Sequence, residues 1–234
     1  LPSAYHRYLA CADDAFYRPD TEAMQMLLRP LFFTSFLVDD QLADDGLTEG
    51  AILLSSASSK TAIAAAFMLA QRGGTELVGL TSARGAAFVE GLGLYDRVVP
   101  YEEIGSLEEG PASFVDFAGD AEVRRAVHAR YGDALRHSMA VGVTHWEEMQ
   151  GGSGELPGPP PSFFFAPTRV TKRAADWGRA ELEQRVADAW QPFCEWTQSW
   201  LEPIPGEGFE AVEKAYLDVL EGNVPPDRAH VLSL

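Results

Sequence analysis

Cysteine is scarce in this chain: Cys11 and Cys194 stand far apart with no CxxC spacing. That signals neither a disulfide framework nor a zinc site, and it fits a reducing compartment. No apolar run approaches the roughly 20 residues of a membrane-spanning helix, and no basic-then-apolar leader opens the sequence. A soluble, cytoplasmic protein without membrane contact is therefore expected. Positive charge is also short, with 18 Lys and Arg against 35 Asp and Glu and a formal net charge of -17. Such a field repels nucleic acid and anionic lipid. The acidic pairs Asp13-Asp14, Asp39-Asp40, Asp44-Asp45, Glu102-Glu103 and Glu108-Glu109 read as solvated surface, and no metal site is expected. The first residue is Leu1, and LPSAYHRYLACADD reads like the interior of a longer protein, so sequence upstream is expected.

Against these absences stands one organising stretch, residues 51–72, AILLSSASSKTAIAAAFMLAQR. A short apolar run at Ile52, Leu53 and Leu54 breaks into small residues and returns as an alanine-rich helix from Lys60. That is the strand-turn-helix opening of a nucleotide-binding α/β unit. Upstream, Asp20-Thr21-Glu22 caps a helix from about Ala23, which Pro30 breaks or kinks before an apolar helix resumes over residues 31–42. Downstream, strands are predicted over 77–80, 97–99, 112–117 and 137–144, with helices over 86–92 and 121–131 between them. Such alternation gives βαβ units and a parallel, Rossmann-like, doubly wound sheet flanked by helices.

The segment 150–161, QGGSGELPGPPP, must be a loop, and the strand-like run Phe163-Phe164-Phe165-Ala166 follows it. Helices are predicted over 170–178, 180–200 and 209–220, with Pro192 as a kink and His230-Val231-Leu232 as a short terminal strand. Trp190, Phe193, Trp196 and Trp200 share one helical face, more simply a packing face than a substrate surface. Residues 1–45 are assigned to a lead-in with helices packing on the sheet. Residues 46–234 form the dinucleotide-binding domain with its C-terminal helices, the whole being one compact unit.

A helix N-terminus preceded by small residues is a ready anion site. Here Ser55, Ser56, Ser58 and Ser59 fill the turn where glycines are usual, and Lys60 opens the helix. The GxxxxGK spacing of a P-loop is absent. The serines and lysine either hold a diphosphate or serve only as an N-cap and a surface charge. The second strand ends in Thr81-Ser82-Ala83-Arg84 with no acid to accept from a ribose 2'-hydroxyl, which favours NADP over NAD.

The series ILLSSASSKTA, VGLTS, FVEGLG and YDRVVPY resembles the cofactor domain of the medium-chain dehydrogenase/reductase superfamily, in particular its zinc-free quinone oxidoreductase branch. SSASSKTA, VGLTS, LRHSMAVGVTHWE and FFFAP are similar to a domain-of-unknown-function family within it, and GFEAVEKAYLDVLEGNVPPDRAHVLSL resembles the superfamily's terminal helix and strand. The superfamily's amino-terminal barrel has no counterpart here. Either it precedes Leu1, or the chain is a cofactor domain alone.

The resemblance implies NADP(H) as cofactor and a small-molecule substrate. It places Ser56, Ala57, Ser58, Ser59, Lys60 and Thr61 at the pyrophosphate and Thr81, Ser82 and Arg84 at the 2'-phosphate. Tyr101 falls near the adenosine, and Phe117, Gly119, Gly142, Val143, Thr144, Phe164, Phe165 and Ala166 fall on the nicotinamide side. Hydride transfer demands no particular base from the protein. If a proton donor exists, His145 is the first candidate, because it follows the fifth strand and titrates near neutral pH. The expected function is a zinc-free NADP(H)-dependent oxidoreductase acting on a carbonyl or activated double bond. Its rival is a non-catalytic NADP(H)-binding or interaction domain derived from one. Related enzymes pair subunits through edge strands, which makes a homodimer the assembly to test.

Overall fold

The computed structural model describes residues 10–14, 16–141 and 156–234. The chain divides into two compact units, one over Thr34–Arg169 and the other comprising the chain up to Phe33 together with Val170–Leu234.

The first unit carries a six-stranded, wholly parallel sheet of β1 (Ala51–Leu54), β2 (Glu76–Thr81), β3 (Arg97–Pro100), β4 (Ala112–Asp116), β5 (Leu135–Val141) and β6 (Ser162–Phe164). Their spatial order is β3-β2-β1-β4-β5-β6. This is the dinucleotide-binding order, and the sheet reverses its winding between β1 and β4. Strands buried on both faces read as continuous apolar runs, and β1 and β4 are buried almost throughout. Three of the crossover helices begin as the sequence predicts, α3 (Ala86–Gly91) among them. α2 (Lys60–Arg72) starts at the Ser59 cap and ends at Gly73, whose φ of 69° is left-handed; α4 (Ala121–Tyr131) is capped by Asp120.

One helix departs from expectation. α1 (Glu22–Asp44) runs through Pro30 instead of stopping there. Pro30 is solvent-exposed, and Met26, whose carbonyl loses its intrahelical partner, is 58% exposed, so water can satisfy the freed acceptor. Within the first unit the later turns of α1 are tied to α2. Ser35 Oγ donates to Thr61 O at 2.7 Å, and Arg72 holds Asp39 through two bonds of 2.9 and 2.6 Å. Asp39 and Asp40 are thus not the solvated surface pair expected from the sequence: both are buried, Asp40 on Arg169, because each carboxylate has an arginine partner.

Two histidines anchor the chain around β5. His128, on α4 and fully buried, lies 2.9 Å from Pro157 O and 3.0 Å from Ser138 Oγ. A carbonyl only accepts, so Nδ1 carries the proton and Nε2 accepts from the serine. Burial pushes the His128 pKa down, outweighing the opposing pull of the Pro157 carbonyl, and burial likewise lowers His137 on β5. An unfolded histidine titrates near 6.5, so the unfolded chain takes up these protons first as pH falls. Their stabilisation is therefore complete above about pH 6.5 and is lost on acidification through the lower folded values. Thermal midpoints are expected to fall from pH 7 to pH 5, and the fall should be shallower in His128→Gln.

The second unit is built on α6 (Arg179–Thr197), preceded by α5 (Ala166–Trp177), whose later residues belong here. Trp190 and Phe193 are buried against Phe32 at ring-centroid distances of 5.3 and 4.8 Å. The aromatic face read from the sequence is therefore a core face. β7 (Glu202–Glu207) pairs in parallel with β8 (Arg228–Ser233), flanking α7 (Gly208–Leu220). β7 escapes sequence reading because Pro203 and Pro205 look like breakers. In a two-stranded ribbon they fall on the alternate positions that face away from the partner, where a missing N–H costs no ladder bond.

Candidate functional site

The site stands at the carboxyl ends of β1, β2 and β4, the crevice side of the switch in strand order. Its first component is the turn from β1 into α2. Ser56 is the only non-glycine among the described residues with positive φ, at 51°. Its N–H donates to Tyr101 Oη at 3.0 Å, and its carbonyl accepts from Ser59 N at 2.7 Å. Ala57, wholly buried, donates its N–H to Leu80 O at 3.0 Å and binds the turn to β2. Ser59 caps α2 through Ala62 N at 3.3 Å, and half-buried Lys60 and Thr61 begin the helix. Burial raises the pKa of the Tyr101 hydroxyl, keeping it a neutral phenol. A β-branched residue is ill suited to a left-handed φ, so Ser56→Val should cost about 1–2 kcal/mol in chemical denaturation, while Ser56→Gly stays close to wild type.

The second component is the end of β2. A methyl group built on Gly85 would come within 2.7 Å of Thr81 Oγ1, 3.5 Å of Ser82 Oγ and 3.7 Å of Ser58 Oγ. Three hydroxyls from two separate turns thus converge on a residue with no side chain. Thr81 is 1% exposed and lies beneath Gly85, whereas Ser82 and Arg84 are exposed and Ser58 is half-buried. The hydroxyls open to a ligand are therefore Ser58 and Ser82, with Thr81 underneath as support. An oxyanion fits such a donor set, since the hydroxyls offer hydrogens and residues 81–84 at the strand end include no acid.

The third component lies at the end of β4. Asp116, 2% exposed, accepts from Ser55 Oγ at 2.8 Å, Ala118 N at 3.1 Å and Gly119 N at 3.0 Å. Its other oxygen takes a two-pronged contact from Arg124 of α4, at 3.1 and 2.9 Å. Ser55, itself fully buried, accepts from Phe117 N at 2.9 Å and Ala118 N at 3.0 Å. The buried charge is paired and hydrogen-bonded, as a carboxylate in such a place must be.

Phe117 falls just past β4 rather than within it, and Gly119 takes the left-handed φ of 68° that the loop needs. Phe164 is 5% exposed and its ring belongs to the core; Phe165, 49% exposed, stacks on Phe163 outside, and Ala166 opens α5. Gly142, Val143, Thr144 and His145 lie outside the described residues. Sequence reading missed Asp116, Arg124 and Gly85, and it saw Ser55 only as one more turn serine. An acid inside the apolar run ASFVDF was the available signal, because a carboxylate in a buried strand must have partners.

Comparison with known proteins agrees with this architecture. The profile of a family described as "Protein of unknown function (DUF2855)" matches residues 1–225. No curated protein sequence matches the chain. The yhdH oxidoreductase from Salmonella enterica, solved in complex with NADP, superposes with a TM-score of 0.56 at 18% identity, covering 87% of this chain and 60% of that one. The yhfP protein of Bacillus subtilis, solved with NAD bound, gives 0.53 at 17%, covering 87% and 60%. CurA from Vibrio vulnificus, in complex with NADPH, gives 0.55 at 16%, covering 86% and 61%. The chain thus spans about 60% of the length of these structures. At these identities the likeness establishes the fold. It bears out the doubly wound parallel sheet. Among the described residues no helix is long and apolar enough to cross a membrane.

Proposed function

We propose that this chain, which belongs to the DUF2855 family, is the cofactor-binding part of an NADP(H)-dependent oxidoreductase of the zinc-free medium-chain type. It would reduce a carbonyl or activated double bond of a small organic substrate. The observation that carries the reading is the convergence of Ser58, Thr81 and Ser82 on Gly85, with Arg84 beside them and no acid at the end of β2. That is a cradle for a 2'-phosphate and a poor partner for a bare ribose diol. The NADP and NADPH complexes of the structural neighbours support it.

In this assignment Ser58 and Ser82 donate to the phosphate and Arg84 supplies its counter-charge. The turn at Ser56–Lys60 offers the start of α2 to the pyrophosphate, where the positive end of the helix dipole favours an anion. NADPH would supply the hydride; the chain's residues bind, orient and exclude water. Reduction also needs a proton, to the carbonyl oxygen or, for an activated double bond, to the carbon of that bond that does not take the hydride. His145, outside the described residues, remains the proposed donor.

A second reading, a binding domain without chemistry, draws support from Tyr101. Its hydroxyl already takes the Ser56 N–H that the first turn would otherwise present to a diphosphate. Titrating the protein with NADPH and NADH, followed by cofactor fluorescence, tests the cofactor assignment. Preference for NADPH that falls about tenfold in Arg84→Ala is expected, the loss of one exposed charge-assisted contact. Equal affinity for both cofactors would sink it. Tight NADPH binding with no turnover of any quinone, enone or aldehyde would favour the binding-domain reading.

A further inference from the structure

We infer that Ser55, Asp116 and Arg124 form a positioning unit that sets the backbone of residues 117–119 as the docking edge for the nicotinamide half of the cofactor, an inference that rests on the NADP(H) reading above. Three consecutive N–H groups, those of Phe117, Ala118 and Gly119, all turn inward to Ser55 Oγ or Asp116 Oδ1. The peptide bonds are trans, and in a trans peptide the carbonyl points opposite to the N–H. The Asp116 carbonyl still lies in the ladder towards β5, whereas those of Phe117 and Ala118 face away from the buried pair, past the carboxyl end of β4 where Ala118 and Gly119 are exposed. A row of outward acceptors suits a ligand portion rich in donors, such as ribose hydroxyls and a carboxamide NH2.

What fixes the row is a chain of contacts reaching from one side of the switch to the other. Ser55 belongs to the start of the β1 turn, Asp116 to β4 and Arg124 to α4. Ser55 accepts two loop N–H bonds while donating its own hydrogen to Asp116, so its single hydroxyl couples the β1 turn to the β4 loop. Arg124 grips the other carboxylate oxygen and holds the plane of the group in register with the loop. A turn built without glycines thereby gains rigidity from side chains instead. None of the three need touch the ligand; they act through the backbone they hold.

The test compares two probes in wild type and Ser55→Ala: NADPH, which spans the whole crevice, and 2',5'-ADP, which carries the adenine half alone. Ser55→Ala should weaken NADPH at least tenfold and leave 2',5'-ADP within about twofold of wild type. Backbone amide exchange measured by mass spectrometry should quicken over residues 117–119 and not in α2. Equal losses for both probes, unchanged NADPH affinity, or unchanged exchange in that loop would each overturn the inference. Should Ser55→Ala fail to give a cooperative melt, Arg124→Lys, which keeps the charge and loses the fork, is held to the same split between probes. Wild-type protein that binds 2',5'-ADP and not NADPH overturns this inference alone; protein that binds neither overturns the NADP(H) reading and this inference with it.

Discussion

Asp116→Ala is expected to destabilise the unit over Thr34–Arg169 by about 3–5 kcal/mol, a drop in thermal midpoint on the order of 10 °C. The cost arises less from the bonds removed than from what stays behind. Arg124 is only 8% exposed, and without the carboxylate its charge is buried with no counter-ion from that residue. Ser55 Oγ loses its acceptor and Gly119 N–H its only recorded partner, each a desolvated polar group. Asp116→Asn should recover part of the loss, because an amide oxygen can still accept from the loop while the charge pairing is gone. Denaturant titration of the three proteins orders them wild type, Asn, Ala. A midpoint for Asp116→Ala within experimental error of wild type would mean that the buried pair breaks even with an apolar filling.

Gly85→Val is expected to lower NADPH affinity by about two orders of magnitude while leaving NADH affinity nearly unchanged. The added Cβ alone falls 2.7 Å from Thr81 Oγ1, and Thr81 is too enclosed to swing aside. The turn bearing Ser82 and Arg84 must therefore move off the strand end. Displacing two charge-assisted donors from a phosphate costs about 3 kcal/mol, or roughly a hundredfold. NADH carries only a hydroxyl in that corner and no phosphate to lose its donors. The measurement is a paired fluorescence titration with both cofactors; parallel losses for NADPH and NADH would refer the effect to the fold and not to the cradle.

The sheet was legible because its evidence is local. Leu77, Val78 and Leu80 form an apolar run of strand length, Gly73 closes the preceding helix, and the intervals suit βα units; each is a statement about neighbours in sequence. The order of the strands is a matter of pairing in space, which alternation along the chain does not state. Of the break or kink expected at Pro30, α1 escapes the break because a proline's cost depends on where its freed carbonyl looks, and the exposure of Met26 lets water meet it. β7 was missed for the converse reason, since Pro203 and Pro205 are harmless only with the partner strand on the other side.

For the site, Ser58, Ser59, Lys60, Ser82 and Arg84 could be picked out from residue type and place in the βα turns. Asp116 and Gly85 could not, because their meaning lies in contacts 61 and 27 residues away, with Ser55 and Ser58 respectively. Composition, charge and local periodicity by themselves determined an acidic α/β protein with a serine-rich turn after its first strand and no acid at the end of its second. Only the tertiary structure decided that Thr81 supports while Ser58 and Ser82 are open, and that one buried serine joins two loops. Hydrogen bonds and steric room are set by distances in space, and a parallel sheet brings together strand ends that the sequence holds dozens of residues apart.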